Sequence, residues 1–136
     1  MPFVVDASVA ACWLLPDEGD PRAAEAYSRF PDDTALVPSL WWFEIRNIFV
    51  INERRKQIEA SFTNRALALL AGLPIQRDDR PDGAAILALA RRYGLTAYDA
   101  TYLELAQREG IALATLDADL LRAAHNAGVP VVGEAQ

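Results

Sequence analysis

Five short apolar runs, separated by longer amphipathic stretches, constrain this chain more than any other feature. They are Phe3-Val4-Val5, Ala35-Leu36-Val37-Pro38, Pro74-Ile75-Gln76-Arg77, Ile111-Ala112-Leu113-Ala114-Thr115 and Val129 to Val132. Most of these runs are continuously apolar instead of alternating with polar residues, which is the pattern of strands covered on both faces. Strands that alternate with helices form parallel sheets, because each crossover carries a helix back across the sheet.

The intervening segments carry helix punctuation. Asp20 before Pro21 reads as an N-cap with proline at the first helical position, opening a helix to about Phe30. Ser39 is expected to cap a long helix from Leu40 to about Lys56. Gly72 stands at the end of a helix from about Glu59 to Leu70. Asp82 and Gly94 bracket a helix from Gly83 to Tyr93, Gly110 closes one from about Tyr98 to Glu109, and Gly128 one from Leu116 to Ala127. The expected fold class is an α/β sandwich, one domain over residues 1–136 with no repeat, low-complexity tract or linker. Its 136 residues, 52% of them apolar, build one core and not two.

Composition then narrows the chemistry. Cys12 is the only cysteine and His125 the only histidine. An internal disulfide, a multi-cysteine zinc site and a histidine-rich metal site are therefore excluded. A Ser-His-Asp triad would have to use His125. Lys56 is the only lysine, and 13 basic against 19 acidic residues give a net charge of −6, which argues against a protein that coats nucleic acid. The apolar stretch from Phe3 to Leu15 contains Asp6 and Ser8 and has no basic leader. It is shorter than the roughly 18 to 20 apolar residues that span a bilayer, so a soluble cytoplasmic protein with no membrane partner is expected.

The acids are informative because parallel α/β sheets bind ligands beyond the carboxyl ends of their strands. Asp6 ends the first strand and Asp117 follows the fourth by two residues. Asp99 sits in the first turn of its helix, where the dipole favours an anion. Glu44 lies among Leu40, Trp41, Trp42, Phe43 and Ile45, where an acid without a partner is costly. Singly, Asp6 and Asp117 could be N-caps and Asp99 a first-turn acid. Four acids able to reach one mouth of one sheet instead suggest a shared site, which needs a cation to offset their repulsion. An all-oxygen donor set suits Mg²⁺ or Mn²⁺, one or two ions per site. Such ions lower the pKa of bound water and offset charge on a phosphate, so phosphodiester hydrolysis is the natural reaction class.

Four motifs in order, Val5-Asp6-Ala7-Ser8, Glu44 with Asn47, Tyr98-Asp99-Ala100-Thr101-Tyr102-Leu103-Glu104-Leu105-Ala106, and Thr115-Leu116-Asp117-Ala118-Asp119-Leu120, together resemble the PIN-domain ribonucleases, in particular the VapC toxins of toxin–antitoxin systems. The likeness spans essentially the whole chain. It implies a five-stranded parallel sheet in the order 3-2-1-4-5, and metal-dependent endonucleolytic cleavage of RNA by Asp6, Glu44, Asp99 and Asp117. It further implies that Ser8 and Thr115 orient the acids or a metal-bound water, with Asn47 and Tyr98 in supporting positions. A homodimer and a cognate VapB-type antitoxin that inserts a segment over the site are implied as well. Asp119 is an additional acid, either sharing the metal or capping the last helix.

The remaining conspicuous residues have simpler readings. Arg54-Arg55-Lys56 and Arg91-Arg92 suit solvated helix ends, and Arg46 points away from Glu44 but could reach a phosphate. Trp13, Trp41 and Trp42 are expected in packing more than in base stacking. Cys12 reads as a core thiol, His125 as structural or exposed, and Asp78-Asp79-Arg80-Pro81-Asp82 as a polar turn. Competing functions are a housekeeping PIN-type RNA-processing nuclease, another phosphoryl-transfer domain using Asp6, and a non-enzymatic metal-binding or docking module. Families that use a strand-end aspartate for phosphoryl transfer also need a lysine beside it, whereas Lys56 is expected at a helix end.

Overall fold

A computed structural model describes residues 1–16 and 19–134. Its elements alternate as the sequence pattern requires: β1 (Phe3–Val5), α1 (Ala7–Leu14), α2 (Pro21–Tyr27), β2 (Ala35–Pro38), α3 (Ser39–Arg54), α4 (Ala60–Ala71), β3 (Ile75–Asp78), α5 (Gly83–Tyr93), α6 (Ala97–Glu109), β4 (Ala112–Ala114) and α7 (Ala118–Asn126). The four strands are parallel in the order β3-β2-β1-β4. Phe3 pairs with both Ala35 and Ala112, and Val5 pairs with Ala114. Phe3, Val4 and Val5 are all fully buried. Side chains of successive strand residues point to opposite faces, so the central strand is covered on both sides.

The expected fifth strand is reduced to one parallel bridge between Leu113 and Val131. Val129, Val131 and Val132 are still buried. Leu113 donates to the Pro130 carbonyl at 2.9 Å and Val132 to the Leu113 carbonyl at 3.0 Å, while Pro130 itself lacks a backbone donor, so the pairing with β4 stops at this bridge.

Cap chemistry accounts for most helix boundaries. Asp20 accepts from the Arg22 amide at 2.8 Å, and Asp82 accepts from the Ala85 amide at 3.1 Å. Gly94 and Gly110 end α5 and α6 in the left-handed region, each with φ of 66°, a conformation that costs other residues free energy. Ser39 departs from expectation. It is the first residue inside α3, the N-cap is Pro38, and no side chain caps that end. Pro38 has extended backbone as the last residue of β2, so the strand runs directly into the helix with no residue left between them to act as a polar cap.

A second buried acid, Glu104, fastens β3 and the start of α5 to α6. Its carboxylate accepts from the Asp82 amide at 2.8 Å and from Arg108 at 2.8 Å, while Arg108 also pairs with Asp78 at 2.8 Å. Arg108 holds the Asp78 carboxyl below the usual range by hydrogen bonding. Removing one partner of a buried pair costs about 3–5 kcal/mol. Since Asp78 still pairs with Arg108, we expect Glu104→Ala to cost about 3 kcal/mol in urea denaturation, with Asp78→Ala costing less.

Candidate active site

The carboxyl ends of β1 and β4 lie side by side, where the chain order switches from one side of β1 to the other. This is the crevice in which open parallel sheets bind ligands. The Asp6 amide donates to the Ala114 carbonyl at 3.1 Å, so the two strand ends are locked together there. Both strands then turn into helices whose N-caps are acids. Asp6 caps α1 through the Val9 amide at 3.1 Å, and Asp117 caps α7 through the Leu120 amide at 2.9 Å. Capping therefore holds for both residues, each just beyond the carboxyl end of its strand.

Asp6 is the most constrained of the four. It is only 5% exposed. Its Oδ1 accepts from Ser8 Oγ at 2.6 Å and from the Val9 amide, and its Oδ2 accepts from Thr115 Oγ1. The two hydroxyls are themselves held from the β4 side. Ser8 Oγ accepts from the Leu116 amide at 3.1 Å, and Thr115 Oγ1 accepts from the Asp117 amide at 3.0 Å. Ser8 and Thr115 thus link Asp6 to the chain segment that carries Asp117.

Glu44 and Asp99 complete the group from two further helices. Glu44 is half-buried on α3, and its Oε1 accepts from the hydroxyl of Tyr102 on α6. Asp99 is half-buried in the first turn of α6, after the Thr96 N-cap. Electrostatics ties the four together. Burial, followed by repulsion from Asp117 and Asp6, raises the Asp99 pKa above the ordinary aspartate value. Burial and the Asp99 charge raise Glu44. Asp6 is raised chiefly by burial, with Glu44 adding repulsion, even though three hydrogen bonds favour its ionised form. Three helix N-termini (of α1, α6 and α7) point their positive dipole ends into this region and offset part of that penalty.

No cation of the protein's own completes the offset. Among the described residues, none of Asp6, Glu44, Asp99 and Asp117 forms an ion pair. A cluster of hard carboxylate oxygens with unrelieved repulsion fits a divalent cation such as Mg²⁺ or Mn²⁺. Among the described residues no group of three His, Cys, Asp or Glu side chains closes on a single point.

Other candidate residues fall outside this cluster. Asn47 is exposed one turn beyond Glu44 and makes no side-chain hydrogen bond among the described residues. Tyr98 is 64% exposed and lines a groove with Pro38, Leu40, Pro81 and Ile86, so it does not support the acids from within the pocket. Asp119 is exposed, pairs with Arg122 at 2.8 Å and adds repulsion at Asp99 from the rim. Arg46 lies over the Trp42 ring at 3.3 Å and donates to the Trp42 carbonyl. Trp13 donates to the Ala23 carbonyl and packs with Tyr27 and Phe30, and Trp41 is buried. Trp42, by contrast, is 40% exposed. Cys12 is half-buried, and His125 is exposed and hydrogen-bonded to Glu134.

Tyr102 and Glu104 are the buried polar residues that pattern reading passed over. Both lie in the otherwise apolar run from Tyr102 to Ala106. Glu104 could have been found from Arg108 at the i+4 position, a spacing that pairs charges on a helix. Tyr102 has a weaker signal, its position three residues after Asp99 and hence on the same side of α6.

The comparisons with known proteins agree with this architecture. Residues 3–126 match the PIN domain family, and the chain belongs to that family. Ribonuclease VapC3 of Pyrobaculum aerophilum is 30% identical over an alignment of 128 residues, covering 88% of this chain and 92% of that protein. A solved structure from the same organism superposes with a TM-score of 0.70 at 23% identity, covering 90% of this chain and 87% of that one. A toxin–antitoxin complex from Klebsiella pneumoniae gives a TM-score of 0.64 at 21% identity, covering 97% and 98%.

Proposed function

We propose that this protein is a divalent-metal-dependent endoribonuclease and the toxin of a toxin–antitoxin pair. The observation that carries the reading is the mutual repulsion of Asp6, Glu44, Asp99 and Asp117 at one crevice, with no cationic partner among the described residues, in a PIN-family chain. The 30% identity to a VapC ribonuclease over most of both chains supports RNA as the substrate. The near-complete structural overlap with a toxin–antitoxin complex supports an antitoxin partner of VapB type.

In this reading Asp6, Glu44, Asp99 and Asp117 hold one or two Mg²⁺ or Mn²⁺ ions. The bound metal supplies Lewis acidity, activating water and offsetting charge that builds on the phosphate. The chain's own residues do the positioning. Ser8 and Thr115 hold both oxygens of Asp6, so its carboxylate meets the ion in one orientation and little ordering cost remains at the moment of binding. The main-chain bond from Asp6 to Ala114 joins the ends of β1 and β4, the two strands that lead into Asp6 and Asp117. Acting in the cytoplasm as a homodimer, the enzyme would grip RNA mainly through this site. The four acids account for −4 of the −6 net charge, and the basic residues Arg54, Arg55, Lys56, Arg91 and Arg92 are exposed.

A phosphoaspartate mechanism on Asp6 is disfavoured by a specific observation. Lys56, the only lysine, is exposed just past the end of α3, far from a strand end beside Asp6. Among the described residues no helix is long and apolar enough to cross a membrane. Expression of the wild-type chain alone is expected to arrest bacterial growth within one or two generations, and co-expression with the product of an adjacent antitoxin gene to restore it. Unimpaired growth at high soluble yield would contradict the toxin assignment.

A further inference from the structure

We infer that Tyr102 is a positioning residue for the acidic site, one whose buried hydroxyl sets the orientation of Glu44 and ties that acid to α6, the helix that carries Asp99. The inference rests on the functional reading above and adds a residue to it.

The geometry is unusual for a core tyrosine. The side chain is 1% exposed, and a hydroxyl so buried needs partners within the protein. It donates to Glu44 Oε1 on α3. A single hydroxyl thus directs an acid carried by a different helix. Tyr102 also shares the first half of α6 with Asp99, so the hydroxyl couples the helix that carries Asp99 to the acid on α3.

Glu44 otherwise lacks what holds the other acids. Asp6 has two hydroxyls and an amide, Asp117 has an amide, and Asp99 sits in a capped first turn. The Tyr102 hydroxyl is the only side-chain hydrogen bond to Glu44 among the described residues. Without it, a glutamate with three rotatable bonds on the wall of a half-open pocket has no fixed direction. With it, one carboxylate oxygen is engaged and the other is left without a hydrogen bond among the described residues. Outer residues that orient metal ligands are worth about 10- to 100-fold in metal affinity or activity when removed.

The experiment compares Mn²⁺ binding by isothermal titration for wild type, Tyr102→Phe, Glu44→Ala and the double variant, with single-turnover RNA cleavage and far-UV circular dichroism alongside. Tyr102→Phe is expected to weaken Mn²⁺ binding about 10-fold or more and to slow cleavage by a similar factor, with KM for RNA unchanged. In the Glu44→Ala background, loss of the hydroxyl is expected to change Mn²⁺ affinity less than twofold, because the group it orients is gone. Equal effects in both backgrounds would overturn the inference, since a residue acting only through general packing weakens binding whether or not Glu44 is present. Wild-type Mn²⁺ affinity in Tyr102→Phe would overturn it as well. Should Tyr102→Phe fold poorly, Glu44→Gln provides the complementary test. Its single amide oxygen is taken by the hydroxyl, which turns the NH₂ group toward the ion, so Glu44→Gln is expected to bind Mn²⁺ no more tightly than Glu44→Ala; clearly tighter binding overturns the inference. A wild-type chain that binds no divalent ion overturns the functional reading itself, and the role of Tyr102 with it.

Discussion

Asp6→Asn is expected to lower RNA cleavage by about a thousandfold or more while leaving the fold in place. The two halves of that expectation come from different features of the same residue. Asparagine is as good an N-cap as aspartate, so α1 keeps its start through the Val9 amide. The side chain also keeps its size in a pocket where Asp6 is nearly inaccessible. What changes is the charge and one acceptor oxygen. The amide offers one oxygen and one NH₂ group, so Ser8 Oγ and Thr115 Oγ1 can no longer both donate to it. In the proposed site a neutral side chain would remove one of the charges that hold the ion, and the Lewis-acid contribution it would support is worth several kcal/mol. At about 1.4 kcal/mol per tenfold in rate, a loss of about 4 kcal/mol gives the thousandfold effect. The check is single-turnover cleavage at saturating protein, with thermal unfolding as the control. A midpoint within a few degrees of wild type is expected.

Asp99→Asn is expected to separate stability from function. Asp99 carries repulsion from Asp117, Asp6 and Asp119 at once, more than any other member of the site. In the metal-free protein, removing its charge relieves that repulsion. Because Asp99 is half exposed and screened by solvent, the gain is about 0.5 kcal/mol, or about 2 °C in melting temperature for a chain of this length. Metal is expected to stabilise both proteins, the wild type far more than Asp99→Asn. At a concentration one hundred times its dissociation constant, an ion that binds only the folded state stabilises it by about 2.7 kcal/mol, which corresponds to about 10 °C in the wild type. In Asp99→Asn that rise is expected to shrink to a few degrees. The pH dependence of the metal-free wild type follows from the same charges. Asp6, Glu44 and Asp99 have folded pKa values above the ordinary 3.8 and 4.5. Between those ordinary values and the raised ones, the folded chain holds more protons than the unfolded chain. Stability from these groups is therefore greatest below the window and declines as pH rises through it. Saturating Mg²⁺ should flatten that decline. A melting temperature that falls on Asp99→Asn substitution without metal would contradict the mutual repulsion on which the site rests.

Much of this was legible in the sequence because local rules and global fold agree. The apolar runs at Phe3, Ala35 and Ile111 mark strands whose residues are buried, and the caps at Asp20, Asp82, Gly94 and Gly110 mark helix boundaries. The acids at strand ends were legible for the same reason, since a parallel sheet exposes those ends in one crevice. The parts that were not legible depend on tertiary context. Whether Val129 to Val132 extends the sheet depends on Pro130 and on where the chain lands at its edge, not on apolar content. Ser39 looks like a cap, but β2 runs into α3 at Pro38 and leaves it no such role. Tyr98 and Tyr102 are both tyrosines near Asp99. One turn of helix decides that the first faces a groove beside Pro38 and the second reaches Glu44 on α3. No local signal separates them, because the partner lies 58 residues away.

The central claim is that four carboxylates at one crevice hold a divalent ion with which the protein cuts RNA. The most direct measurement is cleavage of purified total RNA by wild type and Asp6→Asn, each in Mg²⁺ or Mn²⁺ and again in excess chelator, followed by metal restoration. Discrete cleavage by wild type that chelator abolishes and metal restores, with Asp6→Asn inactive throughout, is the predicted result. Cleavage that persists in chelator, or in Asp6→Asn with metal present, would contradict it.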